Sequence, residues 1–321
     1  MRILFITANR LGDAVLSTGL LGHLADQYPS AKFTVVAGPL SAPIFEAAPG
    51  LEHIIKMEKK PYAKHWLSLW KQTISVRWDL VIDLRRSMIG WLLSAKERQT
   101  MPAPDPSCHR VRLISRIVGL EGCPPAPRLW HTDNQIKRAQ NIIPDGPQVI
   151  AIAPAANWRG KQWRAANFSD LMKNLTVTGG LFPDAIVAVI AAKSERNQTV
   201  PLLDAIPPKK RIDLVGTVDL GTLGACLGRC SFFVGNDSGL MHMAAATGIP
   251  TLGLFGPSKE TLYAPWGRRT HWVRTPESFE TLTGAPDYDH RTTGTLMDGL
   301  TVDMVEDASR QFWQQIEKGT A

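Results

Sequence analysis

The stretch Phe232-Phe-Val-Gly-Asn-Asp-Ser-Gly-Leu-Met-His-Met-Ala-Ala-Ala-Thr-Gly-Ile-Pro-Thr-Leu-Gly-Leu-Phe-Gly256 constrains the fold more than any other part of this chain. An apolar strand feeds a tight turn at Gly235, and Asp237 and Ser238 open a helix that Ala244 to Ala246 keep slim. Gly248 and Pro250 end that helix, and a second apolar strand follows at once. Strand, helix and strand in immediate succession make a parallel β-α-β unit.

The alternation recurs along the chain. Arg2 to Ala8, a helical pattern from Asp13 to about Gln27, and Lys32 to Ala37 form a β-α-β opening, and Trp78 to Leu84 adds a strand. Pro-rich loops follow at Met101 to Pro106 and Pro124 to Pro127. After Ile143-Pro-Asp-Gly-Pro147 a second series begins, with strands at Val149 to Ala153, Ala185 to Ala192, Ile212 to Val215, Phe232 to Gly235 and Thr251 to Phe255. Thr275 to Gly299 reads as a long loop, and Asp303 to Glu317 as a closing amphipathic helix. The expectation is an α/β chain of two Rossmann-like parallel-sheet domains, residues 1–145 and 146–302, with a ligand cleft between them.

Composition narrows the setting. With 44% hydrophobic and 20% charged residues in 321, the chain is neither disordered, collagenous nor a disulfide scaffold. Its longest apolar run, Ala185 to Ala192, falls far short of the ~20 residues of a membrane span. Arg10 and Asp13 interrupt any signal-peptide core, so a cytoplasmic location is expected. Cys108, Cys123, Cys226 and Cys230 lack zinc or disulfide spacing, and Cys226 and Cys230 read as reduced thiols one helical turn apart. No metal and no cofactor are expected.

All of the net charge of +7 lies before Gly146, where 19 basic residues face 12 acidic, against 17 of each afterwards. Between Lys56 and Arg116 there are 13 basic and 5 acidic residues, interleaved with Tyr62, Trp66, Trp70, Trp78 and Trp91, a surface suited to an anionic partner. Trp66 and Trp70 share a helix face beside lysines. That face either rests at a lipid headgroup layer or packs inward and leaves the lysines as a solvated edge. No nucleic-acid-binding module is present, so nucleic acid is not the expected partner.

Chemistry concentrates at the ends of strands. The free N–H groups at the helix start formed by Asp237, Ser238 and Gly239 attract phosphate, and His242, one turn on, shares their face. A helix cap and a structural histidine are the plainer alternatives. Asp237 stands where a nucleophile elbow requires serine, and Gly12, Gly19 and Gly22 have the wrong spacing for a dinucleotide fingerprint. Asp13, after the first strand, either caps its helix or takes a proton from a substrate hydroxyl. Arg85 and Arg86 leave a strand on the same edge and suit an acidic substrate, and Arg110 of the basic stretch is grouped with them. Lys161, in the loop after Val149 to Ala153, is placed to neutralise a diphosphate. Asp287-Tyr-Asp289 reads as solvated loop.

These residues together resemble the family-9 glycosyltransferases, known best as ADP-heptose:lipopolysaccharide heptosyltransferases. The resemblance runs from Arg2-Ile-Leu-Phe-Ile and Leu-Gly-Asp13 through Gly-Lys-Gln-Trp163 and Asp237-Ser-Gly-x-x-His-x-Ala-Ala-Ala246 to Leu-Thr-Val-Asp-Met-Val305. It implies a GT-B fold, with the acceptor on the N-terminal domain, the sugar nucleotide on the C-terminal domain, and a last helix, residues 303–321, crossing back. It further implies Asp13 as general base, Lys161 as phosphate-binding lysine, Asp237, Ser238, Gly239 and His242 as donor contacts, and Glu195 as a nucleoside contact. The implied reaction is inverting, metal-independent transfer of heptose from ADP-heptose to an anionic glycolipid, beside the inner face of the cytoplasmic membrane. A GT-B sugar-nucleotide epimerase and a non-catalytic nucleotide- or lipid-binding relative are the alternatives.

Overall fold

The computed structural model describes residues 1–59, 61–284 and 288–319. The chain divides into two compact units, Met1–Thr132 and Asp133–Ala321, each built on its own sheet. Among the described residues, no helix is long and apolar enough to cross a membrane.

The first unit runs β1 (Arg2–Ile6), α1 (Leu11–Gln27), β2 (Lys32–Ala37), β3 (Leu51–Lys56), α2 (Lys64–Thr73), β4 (Trp78–Asp83), β5 (Ala95–Thr100) and α3 (Arg110–Ser115). Its strands lie parallel in the order β3-β2-β1-β4-β5. The chain leaves β1 and β4 in opposite directions, so their carboxyl ends, with Ile6 beside Asp83, flank the switch point where open α/β sheets bind ligands. β1 is an almost unbroken apolar run because both faces of a parallel sheet are covered. The helix α1 begins at Leu11, two residues before the expected Asp13, and is buried along most of its length. The segment after the Pro124–Pro127 loop closes over it, and Arg128 N donates to Thr18 Oγ1 at 3.0 Å.

The second unit runs α4 (Asp133–Ile142), β6 (Val149–Ala153), α5 (Ala165–Thr176), β7 (Ile186–Val189), α6 (Arg196–Ala205), β8 (Arg211–Asp213), α7 (Leu220–Leu227), β9 (Phe232–Asn236), α8 (Gly239–Ala246), β10 (Thr251–Phe255), α9 (Glu260–Tyr263), β11 (Thr270–Arg274), α10 (Phe279–Thr283) and α11 (Val302–Glu317). The parallel order β11-β10-β9-β6-β7-β8 puts the switch point between β6 and β9. Trp163, Phe168, Phe182 and Phe232 fill the core on one side of this sheet.

The boundary falls earlier than the expected residue 145. The helix α4 belongs to the second unit because it packs on α7: Ala139 is fully buried, Gln135 lies against Gly221, and Arg138 pairs with Asp219 at 2.8 Å. The last helix, expected to cross back, clusters with the second unit and buries Val305, Ala308 and Phe312 in its core. Three strands, β3, β5 and β11, go beyond those expected, and α10 forms inside the expected loop 275–299.

Candidate functional site

In the second unit the site is built where β6 and β9 end. Gly235 leaves no room for a side chain: a Cβ there would stand 2.9 Å from both the Cβ and the carbonyl oxygen of Ala153. Next to it the buried side chain of Asn236 ties the two strand ends together. Its Nδ2 donates to the Pro154 carbonyl at 2.8 Å, and its Oδ1 accepts from Trp163 N at 3.1 Å. This fastening sets the 154–163 loop, and with it Lys161, whose Nζ lies 2.5 Å from Asp237 Oδ2.

Asp237 is buried, and Ser238 takes the N-cap position of α8 in extended conformation. Yet Ser238 makes no side-chain cap, and its buried Oγ has no hydrogen-bond partner among the described residues. The capping alternative therefore fails for Ser238, leaving a hydroxyl, a lysine and the N–H groups of a helix start in one place. Such a set binds a phosphoryl oxygen well. His242 N donates to Ser238 O at 3.4 Å, and its buried ring sits on the first turn of the same helix.

In the first unit Arg10, not Asp13, holds the N-cap position of α1, and no side chain caps it. Asp13 sits in the first helical turn with Oδ1 3.5 Å from Arg110 Nε, so the two expected site residues meet as an ion pair. The turn after β4 is organised by Asp83, a buried carboxylate that accepts from Arg85 N at 2.9 Å and from Ser87 N and Oγ at 2.7 Å each. Burial raises the pKa of Asp83 above the usual carboxylate value. Arg86 is forced to a φ of +54°, where a side chain is strained. Arg85 is steered by Asn9 Oδ1 at 3.0 Å and lies 4.7 Å over the Trp66 ring. A cavity of about 320 Å3 opens here, lined by Asn9, Arg10, Lys59, Arg85, Arg86 and Arg110 among others. Five cations around one hollow suit a ligand carrying several negative charges.

Residues 94–283 match the model of glycosyltransferase family 9 (heptosyltransferase). The chain belongs to this family. It is 25% identical over 281 residues to the lipooligosaccharide heptosyltransferase 2 of Campylobacter jejuni, covering 83% of this chain and 85% of that protein. Its fold is similar to the crystal structure of a family-9 glycosyl transferase from Veillonella parvula, with a TM-score of 0.79, 19% identity, and 98% of this chain and 97% of that one covered. It is also similar to E. coli ADP-heptose lps heptosyltransferase II, with a TM-score of 0.75, 21% identity, and 99% and 100% covered. The chain is thus a glycosyltransferase with the α/β GT-B fold.

Within this family-9 transferase, Lys161, Asp237 and Ser238 come together with the start of α8, and Asp13 pairs with Arg110, which lines the arginine-lined hollow. Glu195 is not joined to the lysine–aspartate pair: its Oε2 accepts from Ala192 N at 2.9 Å and closes its own turn after β7. Asp287 lies outside the described residues, and Asp289 is exposed and organises its own turn through Arg291 N at 2.8 Å. Asn9, Asp83 and Asn236 escaped the reading of the sequence. Asp83 and Asn236 are the last residues of their strands and Asn9 lies in the loop between β1 and α1, a signal that marks a position on the sheet edge without naming what it holds.

Proposed function

We propose that the transferase moves heptose from ADP-heptose to a hydroxyl of a lipopolysaccharide core or related envelope glycan, inverting the anomeric centre without a metal. The observation that carries the reading is the Lys161–Asp237 pair beside the unpartnered Ser238 hydroxyl at the start of α8. Lys161, the Ser238 hydroxyl and the α8 N–H groups receive the diphosphate, and His242 and Gly239 line the approach. Glu195 is kept as a nucleoside contact on the same edge of the sheet. The names of the relatives supply the sugar and the acceptor class: a lipooligosaccharide heptosyltransferase and an ADP-heptose lps heptosyltransferase.

In the proposed reaction Asp13 takes the proton of the acceptor hydroxyl. The new oxygen–carbon bond forms as the bond from the anomeric carbon to the phosphate oxygen breaks, and the electron pair leaves with the nucleoside diphosphate. Lys161 and the helix start stabilise that developing charge. Arg85, Arg86 and Arg110 hold the anionic groups of the acceptor, a glycolipid at the inner membrane surface.

The test begins with thermal-shift binding of nucleoside diphosphates, followed by turnover of the best donor with and without truncated lipid A acceptor. Selective stabilisation by ADP and acceptor-dependent ADP release are expected. Asp13→Asn should lower turnover by about 10²–10⁴-fold with donor affinity nearly unchanged. Full turnover by that variant refutes the base assignment, and donor turnover without acceptor points to an epimerase instead.

A further inference from the structure

Trp66 and Trp70 do not form a free face. Both are half-buried and pack on the core of the first unit with Leu69, Ile89 and Leu93. The opposite side of α2 presents Lys64, Leu67 and Lys71, continued by the C-cap residue Ile74, all exposed, at intervals of three and four residues, so lysine and aliphatic side chains alternate along one stripe. The stripe is preceded by Tyr62, 92% exposed. Beside α2 packs the short 3-10 helix Ile89–Leu92, held through Trp70 Nε1 donating to the Leu92 carbonyl at 3.3 Å. At its start and on its surface stand Met88, Trp91 and Leu92, exposed by 73%, 68% and 58%, while Leu67 is 53% exposed.

Large apolar side chains displayed side by side on a soluble surface mark a docking site. The charges around them select the partner. Residues 59–77 contain five basic and no acidic residues, and residues 84–95 contain Arg85 and Arg86 and no acidic residue. A second copy would bring the same cations against these, whereas an anionic bilayer complements them. Tyrosine and tryptophan suit the headgroup layer, leucine, isoleucine and methionine the acyl boundary below it, and lysines can lay their stems along that boundary with the ammonium in water.

We infer that this surface, Tyr62, Leu67 and Ile74 with Met88, Trp91 and Leu92, docks the protein on an anionic lipid bilayer, Lys64 and Lys71 pairing with lipid headgroups. The inference extends the proposed glycolipid acceptor, since the arginine-lined hollow opens from the turn that leads into the same 3-10 helix. Vesicle binding is read without turnover, so the two proposals fail separately.

The full chain is floated on a density gradient with vesicles of phosphatidylcholine alone or with phosphatidylglycerol. The wild type should rise with the anionic vesicles, much less with the neutral ones, and less in high salt. The Leu67→Ser/Trp91→Ser protein should partition at least about tenfold less while keeping the wild-type thermal shift with nucleoside diphosphate. Lys64→Glu/Lys71→Glu should lose the preference for anionic vesicles, and Asp13→Asn should float like the wild type. Wild-type protein that stays at the bottom overturns the inference, as does flotation indifferent to these substitutions. A dimer in sedimentation that Leu67→Ser/Trp91→Ser dissolves, with no vesicle binding, would make the surface a self-association face and overturn it equally.

Discussion

Lys161 and Asp237 stand 76 residues apart in sequence and 2.5 Å apart in space. The pair is asymmetric, because Asp237 is almost wholly buried while the lysine reaches water. Removing the cation therefore leaves a buried carboxylate with its main partner gone. Lys161→Ala is expected to cost about 1–3 kcal/mol in urea unfolding. It should also weaken nucleoside diphosphate binding by at least about tenfold in calorimetric titration, since the proposed charge-assisted phosphate contact goes with it. Unchanged affinity would remove Lys161 from the donor site. The residue scale also shows why a functional residue type is no guide to its partner. Asp83, the last residue of β4, accepts backbone N–H groups on both of its oxygens, and Glu195, in the turn after β7, accepts one from Ala192 N through Oε2.

At the scale of elements, α1 shows what a glycine inside a helix is for. Gly19 has the wrong spacing for a phosphate fingerprint, and its use is packing: a Cβ there would run into the Pro125 carbonyl and the Ala126 backbone. Gly19→Ala should lower the stability of the first unit by about 1–3 kcal/mol, measured by urea denaturation, because backbone cannot step aside as a side chain can. The β11–α11 contact makes a second prediction. His271 stacks on Phe312, with ring centroids 5.6 Å apart, and burial lowers its pKa below the ordinary 6.5. The unfolded chain then takes up the proton first as pH falls, so stability is retained above 6.5 and lost on descending toward the folded value. Between pH 7 and about pH 5 the urea midpoint of wild type should fall more than that of His271→Phe, the difference isolating this histidine from other groups.

Over the whole molecule, two units with separate parallel sheets share the cysteines evenly: Cys108 and Cys123 lie in the first, Cys226 and Cys230 in the second. Burial pushes the Cys226 thiol up to about 11 and Cys230 higher still, whereas Cys123 is exposed. Thiolate is the reactive form, so alkylation of native protein should modify Cys123 quickly and leave Cys226 and Cys230 unmodified until the second unit opens. Mass spectrometry after a short pulse in rising urea checks this, and rapid native labelling of Cys226 would contradict it. The excess positive charge, confined to the chain before Gly146, belongs mostly to the unit that carries the arginine-lined hollow and the α2 stripe.

The sequence alone determined what depends on neighbours along the chain. The parallel α/β class follows from apolar runs alternating with helical patterns, and the helix start after β9 from Asp237-Ser-Gly239 directly after a strand. The cationic bias of the first half is a sum over residues and needs no structure. Tertiary structure decided whatever depends on partners distant in sequence. The strands β3 (Leu-Glu-His-Ile-Ile-Lys) and β5 (Ala-Lys-Glu-Arg-Gln-Thr) are polar because each is an edge strand, paired on one side only. Charge at an edge discourages unwanted pairing and at the same time hides the strand from hydrophobic periodicity. α4 follows the proline-rich loops yet joins the second unit, because the face that buries Ala139 packs on α7. On α2 both faces carry apolar side chains, so composition leaves its orientation open. Only the sheet beneath, which takes Trp66, Leu69 and Trp70, turns Leu67 and its flanking lysines outward. Periodicity is a local property, whereas edges, boundaries and exposed faces depend on which surfaces the rest of the chain covers.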